Sequence, residues 1–174
     1  KYYFSNTDEA GIIDDLENDM SVTVKDLSTK GMDEWSSSCS YELNFEKQLD
    51  KVASTIYLPA FIEKYHDKSA FKNPERIYPV IFPTSHSIVY TMELKLPEGY
   101  KLESLPEPAA VSFPQLSAVA KLQVRASADD TIVINYAYKR GKSFLDVQEY
   151  ENLRTFWEYL CGIYDSMITI KKAE

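Results

Sequence analysis

Alternation of apolar and polar residues is the clearest pattern along this chain, and it is longest between residues 88 and 96. The even positions of this stretch are all apolar: Ile88, Tyr90, Met92, Leu94 and Leu96. Because successive side chains of a β-strand point to opposite faces, the pattern predicts a strand with one face on a core and the other in water. We expect the rest of the domain to be organised around this strand.

Two further alternating runs predict the strongest hairpin of the chain. The first run contains Ala118, Ala120, Leu122, Val124 and Ala126, and the second contains Ile132, Ile134, Tyr136 and Tyr138. A turn at Asp129-Asp130 separates them, as a hairpin requires. Small alanines on one strand opposite large tyrosines on the next would fill a core without voids.

Shorter β-rich runs predict the remaining strands. They lie at residues 21–27, 39–46, 55–59, 100–104, 111–113 and 167–170. We expect 55–59 to form a hairpin with the strand in which Tyr41, Leu43 and Phe45 face inward. The prolines around 111–113 predict an edge strand, because proline cannot donate a ladder hydrogen bond.

Helical spacing of apolar residues occurs only near the two ends of the chain. Near the start, Thr7 precedes Asp8 and Glu9, acids that suit a helix N-terminus, and apolar residues follow to Met20. Near the end, Asp146 and Glu149 resemble a capping box. The apolar stripe that follows consists of Tyr150, Leu153, Trp157, Leu160, Cys161 and Tyr164.

These elements predict a mainly β fold. Short strands without intervening helices favour an antiparallel two-sheet β-sandwich, with a short N-terminal helix and a C-terminal amphipathic helix. We expect residues 1–37 to form a lead-in of one helix and the first strand, and residues 38–174 to form the β-sandwich domain. Because the chain opens at Lys1 without a methionine, we expect it to be a processed or excised piece of a longer protein.

Composition and charge narrow the possible partners. The 174 residues are 44% hydrophobic and 26% charged, as in ordinary globular proteins. A net charge of −8 without a basic stripe argues against nucleic acid as a partner. No apolar run approaches the roughly 18 residues of a membrane span, so we expect no membrane insertion.

Candidate catalytic and metal-binding residues are few. Cys39 and Cys161 are read as two small buried hydrophobes, with a disulfide possible in an oxidising compartment. Cys39, His66 and His86 contain the ingredients of a cysteine hydrolase, but Cys39 opens an extended segment rather than a helix. The acids between Asp14 and Asp19 have the spacing of a solvated helix face rather than of a calcium loop. We therefore predict no enzyme activity, no catalytic residue, no metal site and no cofactor.

The irregular stretch at residues 60–75 is the place where function is most expected. It reads as a helical turn or two followed by a loop, and ordered loops often carry binding residues. The candidate ligand-binding residues are the loop and strand-edge aromatics, which could stack on the sugar rings of a glycan: Trp35, Tyr65, Phe71 and Tyr78. The alternative is that these side chains plug the rim of the sandwich or face a neighbouring domain.

Four strings of residues, in this order, resemble a known family. They are Ile56-Tyr57-Leu58-Pro59; Asn73-Pro74 with Arg76, Tyr78-Pro79-Val80 and Phe82; Leu96 to Pro106; and Glu149 to Phe156. The set resembles the C-terminal domain of large envelope proteins of Gram-negative bacteria. In those proteins an N-terminal β-rich domain and a transglutaminase-like (cysteine-protease-like) core precede a β-sandwich of uncharacterised function. The similarity covers roughly residues 38–172.

This resemblance implies a non-catalytic accessory domain in the periplasm or at the cell surface. Its partner would be the catalytic core of the same parent chain, and no stretch here matches the cysteine, histidine or aspartate motifs of that core. The alternative function is a carbohydrate- or peptidoglycan-binding β-sandwich module. For the accessory domain we expect an exposed apolar patch near Tyr2, Tyr3 and Phe4. Among the recurrent residues, Arg76 is expected to pair with an acid on a neighbouring strand.

Overall fold

The computed structural model of the protein describes residues 6–32, 38–66, 68, 70–127 and 130–173. The chain forms two compact units, residues 1–49 and 50–174. The sequence predicts a boundary between residues 37 and 38 instead. The difference arises because the strand at residues 40–46, expected in the sandwich, pairs with the strand at residues 23–30 of the first unit.

The first unit contains one helix and a two-stranded antiparallel ribbon. Helix α1 spans Glu9–Met20, strand β1 spans Thr23–Lys30 and strand β2 spans Ser40–Glu46. The helix begins at Asp8, whose Oδ1 accepts a hydrogen bond from the Gly11 amide at 3.0 Å. The N-cap is thus Asp8, the residue after Thr7, because its carboxylate reaches the free amides of the first turn. The predicted patch at Tyr2, Tyr3 and Phe4 lies outside the described residues.

The second unit contains ten strands and one long helix within its described residues. The strands are β3 (Asp50–Val52), β4 (Thr55–Pro59), β5 (Val80–Ile81), β6 (His86–Lys95), β7 (Tyr100–Ser104), β8 (Ala109–Phe113), β9 (Ala118–Ala126), β10 (Thr131–Arg140), β11 (Phe144–Leu145) and β12 (Met167–Lys172). Helix α2 spans Tyr150–Tyr164 and follows a 3-10 turn at Val147–Glu149. Asp146 caps that turn by accepting a hydrogen bond from the Gln148 amide.

A four-stranded antiparallel sheet in the order β6-β10-β9-β8 contains the hairpin expected between β9 and β10. Tyr138 lies opposite Ala120, as the pairing of large with small side chains requires, whereas Tyr136 lies opposite Leu122. The edge position of β8 is confirmed as well. Strand β6, the expected organiser, pairs only with β10 among the described strands and is the other edge. Alternation shows which face of a strand is buried, but it does not show where the strand lies in the sheet. It therefore could not predict that β10 is an inner strand and β6 an edge.

The second four-stranded sheet has the order β3-β4-β12-β7. Strand β4 pairs with β3 and β12, so the expected hairpin between residues 55–59 and the strand containing Tyr41 is wrong. Strand β12 comes from the end of the chain and lies between β4 and β7. No local turn signal could have revealed these pairings, since β12 is far from both partners along the chain: Ile168 lies opposite Leu58, and Thr169 lies opposite Ser104.

One hydrophobic core is built from both four-stranded sheets, helix α2 and the start of the loop at residues 60–75. Fully buried members include Phe61, Ile134, Tyr136, Leu160 and Ile168. The mainly β class with antiparallel sheets and two helices is therefore confirmed. The helical turns expected in the loop are wrong, because its described residues form only bends and turns.

Candidate functional site

A pocket of about 450 Å³ lies between the loop at residues 60–75 and the outer face of helix α2. Its lining residues are Lys68, Ala70, Phe71, Lys72, Arg154, Trp157, Glu158, Cys161, Gly162 and Asp165. The helix residues recur at spacings of three and four, so they share one side of the helix. The volume falls in the range of roughly 300–1,000 Å³ that is usual for small-molecule sites.

Hydrogen bonds from side chains of the helix to backbone carbonyls of the loop hold the loop wall of this pocket against α2. Arg154 donates from Nε to the Phe71 carbonyl at 3.2 Å, and the Tyr150 hydroxyl donates to the Asn73 carbonyl at 3.0 Å. Phe71 has a left-handed backbone with φ of 58°, an unusual conformation for a bulky residue. Its ring meets the Trp157 ring edge-on at 5.0 Å between centroids. The two rings therefore form one aromatic wall.

Charged groups line the rest of the pocket. Asp165, just after α2, accepts hydrogen bonds from Lys64 at 2.8 Å and from Lys68. These two lysines lower the pKa of the Asp165 carboxyl, and the same contact raises the pKa of Lys68. Arg154 also lies 4.0 Å from Glu158, one helical turn away. Both walls thus present cations with carboxylates between them.

A buried histidine lies behind the aromatic wall. His66 is 5% exposed, and its Nδ1 is 3.1 Å from the Tyr164 hydroxyl. Its ring meets the rings of Tyr138 and Trp157 edge-on, each at 4.6 Å. Burial lowers the pKa of His66 to about 4, with smaller contributions from His86 and Arg140. The imidazole is therefore neutral at pH 7 and helps to pack the loop against β10 and α2.

Arg140 is the second buried polar residue in this region. Its guanidinium lies over the Phe82 ring at 3.8 Å, and Nη2 donates to the Thr84 carbonyl at 2.7 Å. The alternation along β10 places this residue on the core face, two positions after Tyr138. A cation on an aromatic face keeps part of its electrostatic stabilisation without water. Arg140 thereby ties the end of β10 to the segment that precedes β6.

The four residues predicted to bind a glycan have different surroundings. Trp35 lies outside the described residues. Tyr65 contacts the edge of Tyr164, and Tyr78 is 75% exposed. Of the three described residues, Phe71 is the one that lines the pocket. The glycan-binding role of these residues stays a prediction.

Other sequence expectations are corrected by side-chain placement. Cys39 is exposed, Cys161 is buried, and no disulfide joins them, so only Cys161 is the buried hydrophobe that was expected. Arg76 donates from Nε to the Tyr78 carbonyl and lies 5.9 Å from the centre of the Tyr150 ring. It therefore orders its own loop, where pairing with an acid on a neighbouring strand was expected.

The residues that sequence reasoning missed are charged ones at the pocket, Lys72 and Arg154 above all. On the sequence they look like ordinary solvated positions, since Arg154 lies on the polar side of an amphipathic helix. The signal that could have found Lys72 is the irregular loop itself, because ordered loops often carry binding residues. Their convergence depends on the fold.

An exposed apolar surface lies elsewhere on the second unit. Strands β5 and β11 pair so that Ile81 is opposite Phe144, and these side chains are 71% and 55% exposed. Ile77 and Tyr78 just before β5 are exposed as well. We call these four residues the apolar ribbon. Phe144 also lines a shallow depression of about 600 Å³ next to Asp146 and Glu149.

Metal-binding clusters and membrane-spanning helices are both absent from the described residues. No cluster of three or more histidine, cysteine, aspartate or glutamate side chains among them has the geometry to hold a metal ion. Among the same residues, no helix has the length and hydropathy that crossing a membrane requires.

Comparison with known proteins gives one family and one solved structure. Residues 54–162 match a family described as a domain of unknown function with a solved structure, DUF3858. A crystal structure of a protein from Parabacteroides distasonis, described as a "putative protease", superposes with a TM-score of 0.53 at 16% identity. The superposition covers 68% of this chain and 23% of that protein. No curated protein matches.

Proposed function

This chain belongs to the DUF3858 family, and we propose that it is a non-catalytic accessory domain of a larger transglutaminase-like envelope protein. Its task would be to pack on the catalytic core of the same parent chain and to orient it. The apolar ribbon is the observation that carries this proposal. Exposed apolar residues on a short pair of strands and in the segment just before it are typical of a surface that another protein region covers.

The size relation to the solved structure supports a larger parent. The superposed region is about a quarter of the Parabacteroides distasonis protein, so that protein has room for a core of its own. That protein is described as a "putative protease", which fits a parent with a hydrolytic core. The sequence resemblance to the C-terminal domain of transglutaminase-like proteins adds the order of domains to the proposal. It also supplies the proposed location, the periplasm or the cell surface.

The surroundings of His66 and Cys161 support the non-catalytic part of the proposal. The Cys161 thiol donates to the backbone carbonyl of His66 at 3.8 Å. A general base works best when its pKa lies near the working pH, whereas burial keeps the pKa of His66 at about 4. Burial that keeps the imidazole neutral disfavours the thiolate–imidazolium pair of a cysteine hydrolase.

The apolar ribbon gives the experiment. The double variant Ile81→Ser with Phe144→Ser is compared in the 174-residue chain and in the full polypeptide that an antibody to this chain detects in the native host. In the isolated chain we expect Tm to shift by about 1 °C or less, since both side chains are exposed. In the full polypeptide we expect a loss of about 4 °C or more, because the core would lose its apolar contact.

Val89→Ser provides the matched control, because Val89 is 80% exposed on β6 between Ser87 and Thr91. The control should behave alike in both backgrounds. The proposal is wrong if the native polypeptide consists of this domain alone. It is also wrong if the double variant shifts Tm equally in both backgrounds. Cell fractionation with the same antibody tests the location, and a cytosolic signal would contradict it.

A further inference from the structure

We propose that the pocket that residues 68 and 70–72 form with helix α2 binds a carboxylated sugar. The proposal does not depend on the accessory role, because the pocket and the apolar ribbon share no residue. Three properties carry it: an excess of positive charge, an aromatic wall with fixed orientation, and hydrogen-bond acceptors beside the cations.

The charge at the pocket is opposite in sign to that of the whole chain. Three cations line it, which are Lys68, Lys72 and Arg154. Two carboxylates line it as well, those of Glu158 and Asp165. An excess of one positive charge on a chain of net charge −8 is a local feature that attracts an anion.

Asp165 shows how these cations receive a carboxylate. Lys64 and Lys68 converge on its two oxygens, so one carboxylate serves two ammonium groups. Lys72 and Arg154 lie on opposite walls of the same pocket. A ligand carboxylate placed between them would receive a comparable pair of charge-assisted hydrogen bonds.

The aromatic wall is fixed before any ligand arrives. Trp157 meets Phe71 and His66 edge-on and is stacked over Phe82 at 6.5 Å. Its indole is thus held from several sides while still lining the pocket. An immobilised platform avoids an entropy cost on binding. The apolar C–H face of a sugar ring can lie flat against such a surface.

The carboxylates in the wall decide between a sugar and simpler anions. Glu158 and Asp165 accept hydrogen bonds only, so they match the hydroxyl donors of a sugar. The same two groups repel a doubly charged phosphate ion more strongly than the single charge of one sugar carboxylate. An aromatic acid without hydroxyl groups would leave the carboxylates desolvated and unpaired, which is costly.

Gly162 offers a way to close the pocket without changing a charge. It lies in the wall, and a Cβ built there meets no atom within 4 Å. Gly162→Leu should therefore fill the pocket without a clash at Cβ. Gly162→Ala is the matched control, since a single methyl group leaves most of the volume open.

The experiment measures binding by tryptophan fluorescence in a Trp35→Phe background, so that Trp157 is the one remaining tryptophan. The probes are digalacturonate, lactose as a neutral disaccharide, benzoate and inorganic phosphate. We expect digalacturonate to bind saturably and at least about tenfold more tightly than each other probe, as one extra charge-assisted contact implies.

Variants then locate the site. Lys72→Gln should weaken digalacturonate binding about tenfold through the loss of one charged donor. Lys142→Gln, an exposed lysine outside this pocket, should leave binding unchanged. Gly162→Leu should abolish binding and Gly162→Ala should preserve it. If Gly162→Leu does not fold, the pair Lys72→Gln and Lys142→Gln decides.

Several outcomes overturn the proposal. Equal binding of lactose would remove the need for a carboxylate, and binding of benzoate or phosphate alone would remove the sugar. Absence of saturable binding by digalacturonate would also refute it. None of these results would affect the accessory role, which is tested through the apolar ribbon.

Discussion

Two regions of the second unit are buried by different means. The hairpin of β9 and β10 repeats a two-residue period, and along most of both strands every second side chain is buried or partly buried. The loop at residues 60–75 has no period and enters the core at Phe61 and His66. A β-hairpin can be stabilised along its whole length, whereas this loop depends on single anchors. Its pocket wall is therefore only as rigid as the anchors that hold it.

Phe61 is the first anchor of the loop, and its removal gives the largest expected effect. Its ring lies 4.8–5.4 Å from the rings of Tyr90, Tyr136 and Tyr164. We expect Phe61→Ala to lower the free energy of unfolding by about 4 kcal/mol, which is usual for a buried phenylalanine. Urea denaturation followed by circular dichroism measures it.

Two further variants are compared with Phe61→Ala: Ile134→Ala in the hairpin and Phe144→Ala in the apolar ribbon. Ile134 is fully buried, so we expect a loss of about 3 kcal/mol. Phe144→Ala should cost about 0.5 kcal/mol or less in the isolated chain. If Phe61→Ala costs no more than Phe144→Ala, the loop is not anchored as described and the contrast with the hairpin fails.

His66, the second anchor, should make stability depend on pH. Its pKa in the folded state is about 4, below the value of about 6.5 in the unfolded state. The unfolded state therefore binds more protons between these values, and stability is retained above pH 6.5 and lost as the pH falls toward 4. The shift corresponds to roughly 3 kcal/mol.

The measurement for His66 is urea unfolding between pH 7.5 and 4. The carboxylates also titrate near the acid end, so the informative quantity is the difference from His66→Gln, which should lack the histidine component. His86→Gln serves as the control, since His86 is exposed, and should retain most of the slope. A parallel pH dependence of His66→Gln and the parent protein would show that the imidazole is not a buried neutral anchor.

The difference between the two regions also explains what the sequence could predict. The β9–β10 hairpin has a local turn and a strict alternation, so its pairing and its inward face are readable from residues 118–138. The apolar stripe of α2 is readable for the same reason, and Phe156 and Ile163 extend it. The class of the fold follows from such local periods.

The pocket was not readable, because its parts meet through contacts between distant residues. Arg154 and Phe71 are 83 positions apart, and Cys161 and His66 are 95 apart. Neither pair leaves a periodic trace, and His66 looks like any loop histidine until the surrounding rings are known. The expectation of function at residues 60–75 located the loop wall of the pocket. The wall formed by α2 became known only from the fold.

Arg140 tests whether the hairpin itself helps to hold the loop side of the fold. It continues the inward face of β10, and its guanidinium lies on Phe82, which contacts Phe71 and Trp157. We expect Arg140→Met to cost about 1.5 kcal/mol, because it removes a cation–π contact and a charged donor to the Thr84 carbonyl.

Lys139→Met is the control for Arg140→Met, since Lys139 precedes Arg140 on β10 and lies on the exposed face. It should change the free energy of unfolding by about 0.5 kcal/mol or less. Thermal unfolding of both variants gives the comparison. Equal stability of the two variants would mean that the hairpin and the aromatic wall are energetically separate.

Gly162 gives the smallest effect, and in the opposite direction. It lies in the last turn of α2 with a helical backbone, and a Cβ built there meets open space. Gly162→Ala should raise the free energy of unfolding by about 0.5–1 kcal/mol, because alanine loses less backbone entropy in a helix. The matched exchange at Gly99 should be destabilising, since that glycine has φ of 79° in a turn. Equal shifts of Tm for the two alanine variants would contradict the backbone explanation. A loss of stability in Gly162→Ala alone would show that the pocket wall beside α2 is tighter than described, and that its open volume is not available to a ligand.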